Sequence, residues 1–471
     1  MSRSPNILFV FGDQWRGDAV GYAGNPDVRT PHLDALAARS LRMDHCIAGT
    51  PVCCPWRASM LTGTHPDRHG VFLNDGVLDP AARTFGEHFA DAGYDTAWVG
   101  KWHVDGHGRE AFIPRERQHR FGYWKALECT HDYNRSHYYA ANDPTLRTWE
   151  GYDAFAQTRD LIDWLAGRGK DRPFLAFLSW GPPHNPYPTA PQRYRDRYDP
   201  AAITLPPNVP TQVREKAACD LAGYYAHCTA LDDCMGWLLA ALAEQGLAEN
   251  TIVVFTADHG DYIGCFGMWE KTGPWEPALR VPMLLHDPRA SRTHGQRSQV
   301  VYNMVDHLPT LCGLAGLTPP DTVQGRDLSS HLLAGTTPAC NDALYANYFR
   351  FGTWLGQDAG IEPLYRCREA RGLRTTRYTY VEDLTGPWLL YDLEADPDQL
   401  HNRVNDPVVA QVQRTLAERL RQKLAEVGDE FLPGERYLQR FYPDAQLGRN
   451  NERRGDAPCS VDTKSRRSGV D

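Results

Sequence analysis

No stretch of this sequence reaches the roughly 20 consecutive apolar residues that a membrane-spanning helix needs. The apolar run nearest the N-terminus, Ile7-Leu8-Phe9-Val10-Phe11, is too short for the core of a secretory leader and has no small-residue cleavage site behind it. That run reads as a first strand, and the chain as cytoplasmic. Strong charge of one sign is missing too: 50 Lys and Arg against 59 Asp and Glu leave a net charge of −9. The one basic cluster (Arg453, Arg454, Lys464, Arg466, Arg467) lies in the last residues, so neither nucleic acid nor a membrane is an expected partner. There is no internal repeat, and twelve cysteines scattered without regular spacing read as reduced thiols rather than a disulfide framework. What remains is ordinary globular composition, 42% hydrophobic and 23% charged over 471 residues, enough to bury a large core without a metal or crosslink.

Short β-rich apolar runs at residues 7–11, 96–99, 174–178, 252–255 and 281–285 alternate with helical spacing at 31–40, 84–92, 154–166 and 216–245. This alternation predicts an α/β fold, a large, mostly parallel or mixed sheet flanked by helices. Beyond about residue 340 the texture changes. Residues 374–381 and 388–392 alternate around Thr385-Gly386-Pro387 like a hairpin, and 408–427 is helical. The division expected is a catalytic domain over 1–340, a smaller antiparallel-sheet-plus-helix subdomain over 341–435, and a tail over 436–471 with little order at its end.

In open parallel sheets ligands collect beyond the carboxyl ends of strands, and four such ends here carry chemistry. The first strand runs into Gly12-Asp13-Gln14 and the fourth into Asp258-His259-Gly260-Asp261. Asp13, Gln14, Asp258 and His259 could hold one divalent cation, Ca²⁺ first and Mg²⁺ or Mn²⁺ next, because oxygen donors dominate. Gly100-Lys101-Trp102-His103 follows the second strand, and in extended chain Lys101 and His103 face one side. His184 sits in a loop stiffened by Pro182, Pro183 and Pro186. The densest segment is Cys53-Cys54-Pro55-Trp56-Arg57. A sulfur at the start of a helix, with Arg57 one turn on, reads as an activated thiol or an anion site.

Taken together these residues resemble the formylglycine-dependent sulfatases of the alkaline-phosphatase-like superfamily. The Cys-x-Pro-x-Arg motif is met by Cys53, Pro55 and Arg57, followed by Leu61-Thr62-Gly63, and the other pieces occur in the family's order, with Lys271 after Trp269-Glu270 and Tyr391-Asp392 in the C-terminal part. The resemblance implies an alkaline-phosphatase-like fold and hydrolysis of sulfate esters of a sugar or an aryl alcohol. It also implies that a maturation enzyme converts Cys53 to Cα-formylglycine, whose hydrated aldehyde supplies an oxygen nucleophile. By the same resemblance Cys53, Asp13, Gln14, Asp258 and His259 hold the cation, and Arg57 offsets their charge. Lys101 and Lys271 grip sulfate, His184 protonates the leaving alcohol, and His103 takes the proton that releases sulfate. Trp102 and His131 join Lys101, His184 and Lys271 as expected substrate contacts, and the polar, aromatic stretch from His103 to Gly151 is expected to wall the pocket. Three positions depart from the family pattern: Gln14 where Asp is common, Trp56 where Ser or Ala is, and Thr64 where Arg is. The rival readings are a phosphonate monoester hydrolase or phosphodiesterase of the same superfamily, whose Asp-Gln-Trp-Arg opening is matched at 13–16, and an inactive anion-binding relative. A homo-oligomer is compatible with the sequence.

Overall fold

The run at residues 7–11 forms the middle of β1 (Asn6–Asp13), whose eight residues are all buried. A strand with no polar face must be covered on both sides, which is the condition for a parallel sheet between helical layers. The structure, a computed structural model, describes residues 4–336, 338, 340–349 and 368–442. The remaining strands of the large sheet are β2 (Leu41–Ile47), β3 (Asp95–Lys101), β4 (Tyr123–Leu127), β5 (His137–Ala140), β6 (Asp143–Thr148), β7 (Phe174–Pro183), β8 (Thr251–Ala257), β9 (Leu284–His286) and β10 (Arg297–Asn303). Their order is β10-β2-β9-β8-β1-β7-β3-β4-β5-β6.

Direction decides where the strand ends go. β8, β1, β7, β3 and β4 pair in parallel. β9 is antiparallel to both β8 and β2, so β2 runs the same way as β8. The carboxyl ends of β1, β2, β3, β7 and β8 therefore arrive at one edge of the sheet. Helices cover both faces. Phe9 and Phe11 meet His307 and Trp56 with ring centroids 5.1 and 5.5 Å apart, which seats the Cys53–Thr62 and His307–Ala315 helices on that side. On the opposite face Trp180 donates from Nε1 to Thr158 Oγ1 (3.2 Å) in the Asp153–Gly167 helix, beside the long Arg214–Glu244 helix. No helix among the described residues is long and apolar enough to cross a membrane, and ten described cysteines are free.

Two readings of the pattern change. The apolar residues at 281–285 yield only the short β9, antiparallel to its neighbours; ahead of it the chain touches β2 only through isolated bonds such as Val281 N to Cys46 O and Met43 N to Met283 O (both 3.1 Å). The alternating run at 374–381 is two strands, because Thr375 Oγ1 accepts from the amides of Arg377 (3.3 Å) and Tyr378 (2.8 Å) and turns the chain there. The second sheet is thus four antiparallel strands, β11 (Asp342–Asn347), β12 (Ala370–Thr375), β13 (Tyr378–Asp383) and β14 (Gly386–Asp392). The Ala410–Val427 helix packs Leu416, Ala417 and Leu420 onto Leu344, Leu373, Tyr380 and Leu390. The expected tail begins as a helix, Gly434–Phe441, whose Tyr437 packs on Phe72 and Tyr348; positions 443–471 lie outside the described residues.

Arg371 on β12 is the polar pin of this second unit. Its guanidinium bonds the buried Asp429 carboxylate and lies 3.9 Å over the Tyr348 ring. Burial alone would raise the Asp429 pKa, but Arg371 holds it below the ordinary range. Arg371→Met strands that carboxylate in the interior and should cost about 3–5 kcal/mol in denaturant unfolding. A loss below about 1 kcal/mol, the scale of an exposed pair, would contradict the burial of this one.

Candidate active site

β1 delivers Asp13 and then turns sharply, with Gln14 at φ 67°. A left-handed residue that is not glycine needs outside support. Here the Gln14 amide donates to Asp258 Oδ1 (2.9 Å) and the Gln14 carbonyl accepts from the Tyr224 hydroxyl (2.7 Å). β8 delivers Asp258 and His259, and β2 leads through an extended Val52 into the helix that Cys53 begins. One ligand atom from each of Asp13, Cys53, Asp258 and His259 lies within 4.8 Å of the others, and all four residues are buried. His259 donates from Nδ1 to Gly260 O (2.9 Å), so Nε2 turns its lone pair inward, 3.1 Å from Cys53 Sγ. Two carboxylates, an imidazole lone pair and the side chain at 53 make a donor set that fits a hard divalent cation.

Beneath the quartet lies a cation of the chain's own. Arg57, fully buried, donates from Nη2 to Asp13 Oδ2 (3.0 Å) and Asp258 Oδ2 (3.3 Å), and from Nη1 to Lys101 O (2.9 Å) and Ser179 Oγ (2.8 Å). Lys101 Nζ adds a bond to Asp13 Oδ2 (2.7 Å). Gly100 makes this meeting of β3 and β7 possible: it has φ 103°, and a Cβ there would stand 2.1 Å from Ser179 O. Burial alone would raise Asp13, but the Lys101 and Arg57 charges hold it well below its usual range, while burial and the Asp13 charge push Asp258 up. The thiol departs from the sequence reading. Burial first, and then Asp13, push Cys53 up to about 12 despite Lys101 and Lys271, so the helix start does not activate it.

Facing the quartet are Lys271 and His184. Lys271 Nζ donates to His184 Nε2 (2.9 Å) and to Gln14 Oε1 (2.9 Å), and His184 Nδ1 donates to Asn185 O (2.8 Å). Both ring nitrogens of a neutral His184 are thus used, and burial with Lys271 keeps its pKa well below the ordinary value. His131 stacks on His184 at 4.5 Å and 8°, and burial lowers it to about 4. The other end of the Gln14 amide, Nε2, donates to Asp261 Oδ2 (2.6 Å).

The sulfatase family profile matches residues 5–317, and a profile for the C-terminal part of N-sulphoglucosamine sulphohydrolase matches 264–426. An ulvan-active sulfatase of Formosa agariphila is 42% identical, covering 93% of this chain and 84% of its own. The chain belongs to the sulfatase family. A solved Bacteroides thetaiotaomicron sulfatase structure, described in the metabolism of multiple glycosaminoglycans, superposes with TM-score 0.81 at 26% identity, covering 93% of this chain and 99% of that one. The phosphonate monoester hydrolase of Agrobacterium radiobacter shares the fold, with TM-score 0.72 at 24% identity over 90% of this chain and 96% of its own.

Two expected site residues of this sulfatase sit differently from their expectation. His103 has φ 62°, so the strand alternation argument ends at Lys101, and its ring faces Asp75 (Nε2 to Oδ1 3.5 Å). Trp102 is buried in the core, its ring enclosed by Trp98 and Trp124 with centroids 4.7 and 5.0 Å away. Within the expected pocket wall, Trp124 is likewise core and His137, Tyr138 and Tyr139 lie on β5. Sequence reasoning missed Ser179, Asn185 and Asp75 as partners of Arg57, His184 and His103; each was visible only as a polar residue near a strand end or a helix. Alkylation of unmatured, folded protein at pH 8 tests the thiol. With a pKa near 12 only about one part in ten thousand is thiolate, so Cys53 should label about a thousandfold more slowly than the exposed Cys219. Equal rates by peptide mass spectrometry would refute the account of burial and Asp13.

Proposed function

We propose that this sulfatase removes sulfate from a sulfated carbohydrate, with Cys53 carried as Cα-formylglycine and one divalent cation, Ca²⁺ ahead of Mg²⁺ or Mn²⁺, held by Asp13, Asp258, His259 and the side chain at 53, with Gln14 beside them. The observation that carries this reading is the two-sided arrangement: an acidic and imidazole quartet around Cys53, faced by Lys271 and His184 with Lys101 alongside. The cation supplies Lewis acidity and the formylglycine an oxygen nucleophile that a thiol pushed up to about 12 cannot replace. A sugar as the alcohol is supported by the relatives named for ulvan and glycosaminoglycans.

The chain's own groups then have these tasks. Arg57 offsets the paired carboxylates from below. Lys101 Nζ and Lys271 Nζ bind the peripheral sulfate oxygens, whose charge grows as the ester bond breaks. The leaving oxygen takes its proton at the Lys271 Nζ–His184 Nε2 pair, linked at 2.9 Å and facing the quartet. His103, its Nε2–H turned to the Asp75 carboxylate, accepts at Nδ1 the proton whose loss releases sulfate. Proteins that mature Cys53 in the host are part of the same proposal, as is binding of the substrate next to His131.

Peptide mass spectrometry across Cys53, on protein made with a maturation enzyme, should find an aldehyde in place of the thiol, and Cys53→Ala should release no sulfate from sulfated oligosaccharides. An intact thiol in protein that still turns over would end the formylglycine reading, and faster release from phosphonate monoesters than from sulfates would favour the rival hydrolase. His184→Ala should lose about 10²–10⁴-fold on sugar sulfates, whose alkoxide leaves badly, and less than about tenfold on activated aryl sulfates. Equal losses on both would remove His184 from proton delivery.

A further inference from the structure

Asp261 follows directly on Asp258-His259-Gly260, is fully buried, and has no place in the chemistry above. Its carboxylate accepts four hydrogen bonds. Oδ1 takes the amides of Ile263 (3.1 Å) and Glu270 (2.8 Å), and Oδ2 takes Gln14 Nε2 (2.6 Å) and the Tyr187 hydroxyl. The two backbone amides and the Gln14 NH₂ can only donate, and an ionised carboxylate accepts from them and from the Tyr187 hydroxyl together.

Two consequences follow for groups that face the substrate. A glutamine side chain has one accepting and one donating end, nearly equal in shape. Because the Asp261 carboxylate can only be met by the NH₂ end, Gln14 Oε1 is turned the other way, where it accepts from Lys271 Nζ at 2.9 Å. Lys271 itself lies between Glu270 and Thr272, at φ 65° and 96°, a left-handed pair that ordinary residues avoid. The bond from the Glu270 amide to Asp261 Oδ1 ties that loop to the same carboxylate.

We infer that Asp261 is a positioning residue that decides which end of the Gln14 amide faces the cation site and Lys271, and that it holds the Lys271 loop in register with them. This rests on the proposed sulfatase site. Gln14 supplies an oxygen there only while its amide is held in one orientation, and Asp261 Oδ2 at 2.6 Å does the holding, with Asn185 Oδ1 at 3.4 Å a longer second acceptor.

The test is a swap of hydrogen-bond polarity. Asp261→Asn keeps the shape but brings an NH₂ group among four donors, and Gln14 can then relieve the conflict by turning its own NH₂ toward Lys271 and the cation. Matured Asp261→Asn should lose about 10–100-fold in Ca²⁺ affinity by titration calorimetry, the range found for groups that orient a metal ligand, with a similar fall in kcat for sulfate release. Adding Gln14→Glu restores a donor–acceptor pair of reversed sense. The amide introduced at 261 then donates to the carboxylate introduced at 14, whose other oxygen still faces Lys271, and at least about tenfold of the lost affinity should return. A single variant within twofold of the parent in both measurements, or a double variant no better than the single, overturns the inference. Should Asp261→Asn not fold, the double variant decides alone: recovery of a cooperative thermal transition and of Ca²⁺ affinity supports the pairing, and failure of both overturns it. If the parent itself neither binds Ca²⁺ nor releases sulfate, the sulfatase site has failed rather than the role of Asp261.

Discussion

The contact on which the site depends is the buried guanidinium of Arg57 between Asp13 and Asp258. Two carboxylates brought together away from water repel each other strongly and lose their hydration, and either would take up a proton instead of staying charged. Arg57 meets both with one nitrogen, and Lys101 adds a second positive charge on Asp13. The outcome is asymmetric, Asp13 held firmly ionised and Asp258 pushed toward the neutral form. A divalent cation added to this quartet would complete the neutralisation that Arg57 begins. The removal of Arg57 would leave a buried acid pair with one partner too few.

That contact in turn needs the sheet. Asp13, Lys101 and Asp258 come from the ends of three strands, and Arg57 comes from the helix that β2 feeds. They converge because the strands concerned run one way, β9, antiparallel to both β8 and β2, leaving those two in the same direction. The local backbone follows the same demand. Gln14, His103, Glu270 and Thr272 all have left-handed φ, and each lies at or beside a polar group of the site. Strain of this kind persists only where surrounding bonds over-determine it, as Asp258 and Tyr224 do for Gln14.

The legible part of the fold was the part written in local periodicity. The all-buried β1 and the strands β3, β7 and β8 stand where continuous apolar runs predicted them, and the long Arg214–Glu244 helix follows its apolar recurrence. The pattern failed where a side chain redirected the backbone. Thr375 turned one alternating run into two strands, and His103 left the extended conformation one residue too early for the alternation rule. Trp102, expected as a substrate contact from its place in a polar motif, packs its ring between Trp98 and Trp124.

By itself the sequence determined which polar residues would stand at strand ends and which layer of the fold would carry them, because strand and helix periods are properties of neighbouring residues. It could also place Cys53 at a helix start with Arg57 one turn on. Tertiary structure alone decided what those groups are. The Cys53 thiol is suppressed rather than activated because burial and Asp13, forty residues away, outweigh the helix start and the lysines. Gln14 points its oxygen one way because Asp261, 247 positions along the chain, accepts only from the other end of the amide. Charge state and amide orientation are set by electrostatics and hydrogen bonds through space, and no local pattern encodes the distance between strands that the fold alone brings together.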